Sequence, residues 1–185
     1  MMGHNEKIGF GGGCHWCTEA VFQSLQGVNK VEQGWIASEG EASTFSEAVI
    51  VYFDASRIHV KVLIEIHLHT HKSTSQHSMR RKYRSAIYYF DEEQQTVVNR
   101  LLNNFQAKFD NRLITEVLPY VNFRPSEAAI ENYYYKNPKK PFCTSFIDPK
   151  LNLILSNFSD FADTEKLKHL NPYDYEPSTK SEELL

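Results

Sequence analysis

Three glycines running into a cysteine, Gly11-Gly12-Gly13-Cys14, constrain this chain more than any other stretch. Before them lies the short apolar run Ile8-Gly9-Phe10, which reads as the end of a strand. After Cys14 the apolar positions Trp16, Cys17, Ala20, Val21 and Leu25 recur at the spacing of one helical face. The order is therefore strand, glycine turn, cysteine, helix. A cysteine at a helix start meets unpaired backbone N–H groups and the positive end of the helix dipole. Both favour thiolate over thiol. The glycines leave the sulfur uncovered on its approach side and permit positive φ in the turn. This is how a chain presents a nucleophilic sulfur. The same pattern also fits a plain strand-to-helix turn with two buried thiols, since free cysteine is often buried.

Composition bounds the alternatives. A chain of 185 residues, 41% hydrophobic and 23% charged, suits one globular domain with a tail. A net charge of −3 implies no basic face, so nucleic acid is not an expected partner. No apolar run approaches the ~20 residues needed to span a bilayer, so no membrane is expected. The first residues carry no apolar signal region, and the expected compartment is the cytoplasm. An odd count of three cysteines, Cys14, Cys17 and Cys143, does not resemble a secreted disulfide framework. Such cysteines are catalytic, redox-active or simply buried.

Along the chain, 28–36 reads as a strand, with Gly34 marking a bulge or a close approach. Residues 38–44 form a small polar loop. Residues 45–53 are strongly β in propensity, with Glu47 near the start. Asp54-Ala55-Ser56 is placed to cap a helix over 57–67, and a polar, His-rich loop follows to 82. A strand is expected over 83–88. Asp91 caps the clearest helix, with Val97, Val98, Leu101, Leu102 and Phe105 at core spacing. A short strand is expected over 113–120. Pro125-Ser126-Glu127 is expected to start a helix through Tyr135, stopped by Pro138. The fold class is α+β, with helices packed on a sheet. One domain is expected over 1–155, with 156–185 a loosely held, partly disordered tail.

Cys14 and Cys17 form a C-x-x-C, which admits a dithiol redox pair. A zinc site needs two further ligands, and no second C-x-x-C exists. His67, His69, His71 and His77 in a polar loop are more often solvated or packed than metal-bound, so neither metal nor cofactor is expected. Glu47 is the solvent-facing residue of an alternating strand or, if it faces a pocket, a proton donor. Tyr83 can offer a hydroxyl to a ligand, but local physics does not single it out among ten tyrosines.

The stretch from Gly11 through Cys14-His15-Trp16-Cys17-Thr18-Glu19-Ala20 to Phe22 resembles the signature of the A-type peptide methionine sulfoxide reductases. Further pieces match in order: Ser46-Glu47-Ala48-Val49, Lys82-Tyr83-Arg84-Ser85-Ala86-Ile87-Tyr88, Thr115-Glu116-Val117, and the Tyr-rich segment that ends in Lys136-Asn137-Pro138. The resemblance implies a two-layer α/β sandwich around a mixed sheet, with a ferredoxin-like core and long coils. It implies reduction of methionine S-sulfoxide, free or protein-bound, by a monomer recycled by thioredoxin. Cys14 is the implied nucleophile, which ends as a sulfenic acid. Glu47 is the implied proton donor to the sulfoxide oxygen, and Tyr83 its hydrogen-bond donor. Trp16, with His15 in place of the usual Phe, is the implied methyl-binding wall. Cys143 is the favoured resolving thiol, with Cys17 as the alternative, because closure within one helical turn is strained. This chain departs from the family at Ser78, where an oxygen-placing Asp is usual, and in loop 38–44, which lacks a family Tyr. It also carries Arg80 and Arg81 where small residues are usual. These departures admit a second reading, a catalytically weak homologue that senses oxidation or binds sulfoxide.

Overall fold

The computed structural model describes residues 5–170. Six strands form one mixed sheet in the order β5-β4-β1-β3-β2-β6. They are β1 Asn5–Gly11, β2 Val28–Ala37, β3 Ser46–Asp54, β4 Ala86–Tyr89, β5 Glu116–Pro119 and β6 Asn122–Pro125. The central strand β1 runs antiparallel to β3 and β4, while β4 and β5 are parallel. The five α-helices are α1 His15–Gln23, α2 Val60–Thr70, α3 Glu92–Gln106, α4 Tyr133–Lys136 and α5 Asp148–Asn157. The expected α+β class, helices on a mixed sheet, is the one observed.

Side-chain alternation divides the sheet. Ile8, Phe10, Val49, Val51, Phe53 and Ile87 point toward the helices and meet Phe22, Leu63, Ile66, Leu102 and Ile154 in the main core. Ile36, Ala48, Ile50 and Tyr88 point the other way, under Phe90, Tyr120 and Phe123. Phe22 of α1 stacks on Phe10 of β1 at 4.6 Å, which fixes the helix directly above the strand that precedes it.

Four expected elements moved. The helix expected over 57–67 is α2, and its cap is the His59 ring, which accepts the Lys61 N–H at 3.1 Å. Asp54 and Ser56 instead close a turn, with Asp54 Oδ1 accepting from the Ser56 N–H at 2.9 Å and its hydroxyl at 2.6 Å. The supposed loop from 67 therefore begins as helix. The strand expected over 83–88 is β4, which starts only at Ala86. No helix starts at Pro125. That proline ends edge strand β6, paired with Gly34, where its missing N–H is tolerated. The helix forms only at Tyr133, after Asn132 in a left-handed conformation (φ 52°).

Residues 156–170 pack onto the domain. Ala162 bridges Leu25, and both Ala162 and Leu167 are buried. The rest of the expected tail, 171–185, lies outside the described residues. Among the described residues, no helix is long and apolar enough to cross a membrane.

Candidate active site

Cys14 is the residue at which α1 begins. Its carbonyl accepts the Cys17 N–H at 3.1 Å and the Thr18 N–H at 3.2 Å, closing the first turn beneath the sulfur. The side chain is half-buried. The Cys17 thiol, which donates to Cys14, holds the Cys14 pKa below the usual thiol range. Burial and the charge of Glu47 oppose this, and the backbone N–H groups of Trp16 and Cys17 assist it. The helix start thus acts as the residue order implied. Cys17 is displaced the other way. Its proton is committed to Cys14, and its burial raises the pKa further.

Of the two purposes expected of the glycines, positive φ is not met. None of Gly11, Gly12 or Gly13 has positive φ; among the described glycines only Gly27 and Gly40 do. Gly12 is required by close approach, because a Cβ there would lie 2.4 Å from Cδ2 of His71. A Cβ on Gly13 meets nothing within 4 Å, and that side is the open approach to the sulfur.

Glu47 shares the phase of Val49, Val51 and Phe53, so it points to the helix-covered face and not to solvent. It is 6% exposed. Its Oε2 accepts the His15 N–H at 3.1 Å, at the first turn of α1, and Lys82 Nζ stands 3.5 Å from Oε1. The backbone next to Tyr83 is tied to the same strand. Lys82 O accepts from the Glu47 N–H at 3.0 Å and the Ser46 hydroxyl at 2.9 Å, and Ser46 Oγ accepts the Arg84 N–H at 2.8 Å.

A cleft of about 470 Å³ opens over the sulfur, lined by Gly12, Gly13, Cys14, Cys17, Tyr83, Phe142 and Phe146, among others. Cys14 and Tyr83 are therefore brought together across one space, and Glu47 lies behind it, off the lining. Trp16 stacks on Tyr133 at 4.0 Å and meets the edge of Phe142 at 5.4 Å, which builds an aromatic wall beside the cleft. Buried Glu19 supports that wall: its carboxylate accepts the N–H groups of Asn132 at 2.9 Å and Tyr133 at 3.4 Å.

Two expected binding residues lie elsewhere. His15 is 4% exposed, with Nδ1 donating to the Gly34 carbonyl at 3.0 Å, so it sits beneath Glu47 and not on the lining. Its helical position turns it inward, toward Trp35 at 4.9 Å. Ser78 is exposed at the start of a 3-10 turn, while its neighbours His77 and Met79 line the cleft. Cys143 is fully buried in a π-helical turn, its thiol donating to the Asn137 carbonyl at 3.5 Å. Burial pushes its pKa up.

A family model described as peptide methionine sulfoxide reductase matches residues 6–161. The chain belongs to that family. A peptide methionine sulfoxide reductase MsrA of Acinetobacter baumannii (strain SDF) is 34% identical over 163 residues, covering 80% of this chain and 93% of the relative. The fold matches that of Mxr1 from Saccharomyces cerevisiae in reduced form, with a TM-score of 0.67 at 20% identity over 75% of this chain and 89% of the other. It also matches Mxr1 in complex with Trx2, with a TM-score of 0.56 at 19% identity over 70% and 84% of the two chains.

In this member of the peptide methionine sulfoxide reductase family, the sequence gives no sign of one cleft residue. Lys150, from α5, lines the cleft beside Cys14 and Cys17, and its ammonium donates to the Thr70 carbonyl at the end of α2. Burial lowers its pKa, and the nearby Cys17 and Cys14 sulfurs counteract that. Nothing in the local sequence marks it, because its neighbours Cys14, Cys17 and Thr70 all lie far along the chain, the nearest 80 residues away. His67 and His71, which the sequence left as candidate imidazoles, are packed ring on ring at 4.2 Å. His67 Nε2 donates to the Gly11 carbonyl at 2.9 Å.

Proposed function

We propose that this protein reduces methionine S-sulfoxide, free or within polypeptides, to methionine through a sulfenic acid on Cys14. The observation that carries this reading is the Cys14 sulfur, held toward thiolate by α1 and Cys17 and facing Tyr83 across an apolar-walled cleft. The Cys14 thiolate attacks the sulfoxide sulfur. The Tyr83 hydroxyl donates to the sulfoxide oxygen, and Glu47 supplies its proton. The oxygen is transferred to Cys14, leaving a thioether and Cys14–SOH. Lys82, 3.5 Å from Glu47, is placed to stabilise the carboxylate left behind.

For resolution we favour Cys17 over Cys143, reversing the expectation from the resemblance. Cys17 lines the same cleft as Cys14, one helical turn on, whereas Cys143 is off that lining and its thiol is turned to the Asn137 carbonyl. Cys17–SH and Cys14–SOH condense to a disulfide and water. Lys150, beside both sulfurs, opposes in part the burial and the Cys14 bond that hold the Cys17 pKa up. A thioredoxin-type dithiol then reduces the disulfide, a reading supported by the yeast relative seen with Trx2. A reducing compartment such as the cytoplasm and a monomeric state complete the proposal.

The test is turnover of the separated S and R epimers of a blocked methionine sulfoxide. Dithiothreitol and thioredoxin serve as alternative reductants, with Cys14→Ser as control. Turnover of the S epimer alone, lost in Cys14→Ser, is expected. Cys17→Ser should keep dithiothreitol-driven turnover and lose the thioredoxin-driven reaction, while Cys143→Ser keeps both. The opposite pattern would return Cys143 to the resolving role. A Cys14 that oxidises with peroxide but reduces no sulfoxide would favour the sensing homologue.

A further inference from the structure

The segment between α2 and β4, residues 71–85, carries Tyr83 to the cleft, yet its only regular element is the 3-10 turn Ser78–Arg81. Much of it is exposed, so burial contributes little to holding it in place. Its ends are tied to β3 and α2 through Lys82, Arg84 and Ser73, and one side chain, Arg80, ties its middle together. Arg80 donates from Nε to the Ser75 carbonyl at 2.9 Å and from Nη2 to the Lys72 carbonyl. Its Nη1 donates to the Gly12 carbonyl at 3.0 Å and also to the Tyr83 carbonyl at 3.0 Å. No Asp or Glu among the described residues forms an ion pair with it, so the guanidinium is devoted to these four carbonyls.

The two Nη1 bonds are the informative ones. Gly12 O belongs to the turn that delivers Cys14, and Tyr83 O to the residue that faces it. A single nitrogen therefore spans the nucleophile's turn and the hydroxyl-bearing residue. A guanidinium has a rigid fork of donors that an ammonium lacks. We propose that Arg80 is a positioning residue that fixes the Tyr83 hydroxyl relative to the Cys14 sulfur. The inference rests on the reductase reading given above. Arg80 touches neither sulfur nor substrate; it acts through Tyr83.

The experiment is a double-mutant cycle on turnover of the S-sulfoxide with dithiothreitol. Arg80→Ala is expected to lower kcat about tenfold to a hundredfold, as for a small misplacement of a reacting group. KM should stay within about twofold. In a Tyr83→Phe background the same change should lower kcat little further, because the group being positioned is already gone. Arg80→Lys should lie between the two, and added guanidinium ion should partly restore Arg80→Ala. The pH dependence of Cys14 alkylation should not move, since Arg80 does not face the sulfur. Multiplicative losses in the double variant, an unchanged kcat, or a moved alkylation profile would each overturn the proposal. If Arg80→Ala fails to fold, Arg80→Lys carries the cycle. A wild-type protein with no sulfoxide turnover would instead sink the reductase reading, and the positioning role with it.

Discussion

Replacing Gly12 by alanine tests how tightly the nucleophile's turn is built. The added Cβ would lie 2.4 Å from Cδ2, 2.7 Å from Cγ and 2.8 Å from Nε2 of His71, where ordinary contact begins at 3.4 Å. About 1 Å of movement is needed, by the ring or by the turn. The ring is held on three sides. Its Nδ1 donates to the His67 carbonyl at 2.6 Å, its Nε2 accepts from the Ser85 hydroxyl at 2.7 Å, and its face stacks on His67 at 4.2 Å. Swinging it out breaks two buried hydrogen bonds, each worth about 1 kcal/mol. Moving the turn instead strains the Arg80 bond to Gly12 and displaces Cys14. We therefore expect Gly12→Ala to lose about 1–3 kcal/mol of stability, the usual range for overpacking. We expect up to about a hundredfold loss in kcat. Urea unfolding followed by tryptophan fluorescence, with unchanged m, measures the first, and sulfoxide turnover the second. Removing the ring should make room, so Gly12→Ala should cost much less stability in a His71→Ala background. Gly13→Ala, whose Cβ meets nothing, should keep wild-type stability to about 0.5 kcal/mol. An equal loss with and without the His71 ring would refute the reasoning.

Two further predictions follow from the same region. Glu47→Gln keeps an acceptor for the His15 N–H but removes the carboxyl that passes a proton to the sulfoxide oxygen, so kcat should fall by about 10²–10⁴. Because the Glu47 charge holds the Cys14 pKa up, the same change should move Cys14 alkylation to lower pH; a profile that stays put or rises would contradict the placement. The buried imidazoles make the fold sensitive to acid. Burial lowers the pKa of His67, and of His71 from 6.5 to about 4. Below pH 6.5 the unfolded chain takes up protons that the folded chain refuses. Stability is therefore complete above that pH and is lost as pH falls toward about 4, on the order of 3 kcal/mol from His71. Urea midpoints at pH 7.5 and 5 should show the fall, and His71→Gln should reduce it to the part due to His67.

The helix start at Cys14 and the cap at Asp91 were legible in the sequence because each depends on near neighbours along the chain. Asp91 does accept the Gln94 N–H, at 2.8 Å. The helix expected after Pro125 was misread because helical spacing is a weaker influence than an available sheet edge. The edge is β2 at Gly34, where a side chain could not fit: a Cβ would lie 2.2 Å from the Arg124 carbonyl. His15 and Ser78 were assigned by analogy of position, and the structure turned one inward and left the other in solvent.

The sequence by itself determined that a cysteine opens a helix behind a glycine turn, and therefore that its sulfur meets backbone N–H groups. It also placed Glu47 in an apolar strand, without deciding between water and interior. Tertiary structure decided that question, since the phase shared with Val49, Val51 and Phe53 has a meaning only once α1 covers that face. It also decided the reason for Gly12, the Arg80 clamp and the approach of Lys150. In each of these a side chain meets backbone or ring atoms far along the chain, and backbone carbonyls, common to every residue, leave no mark in sequence.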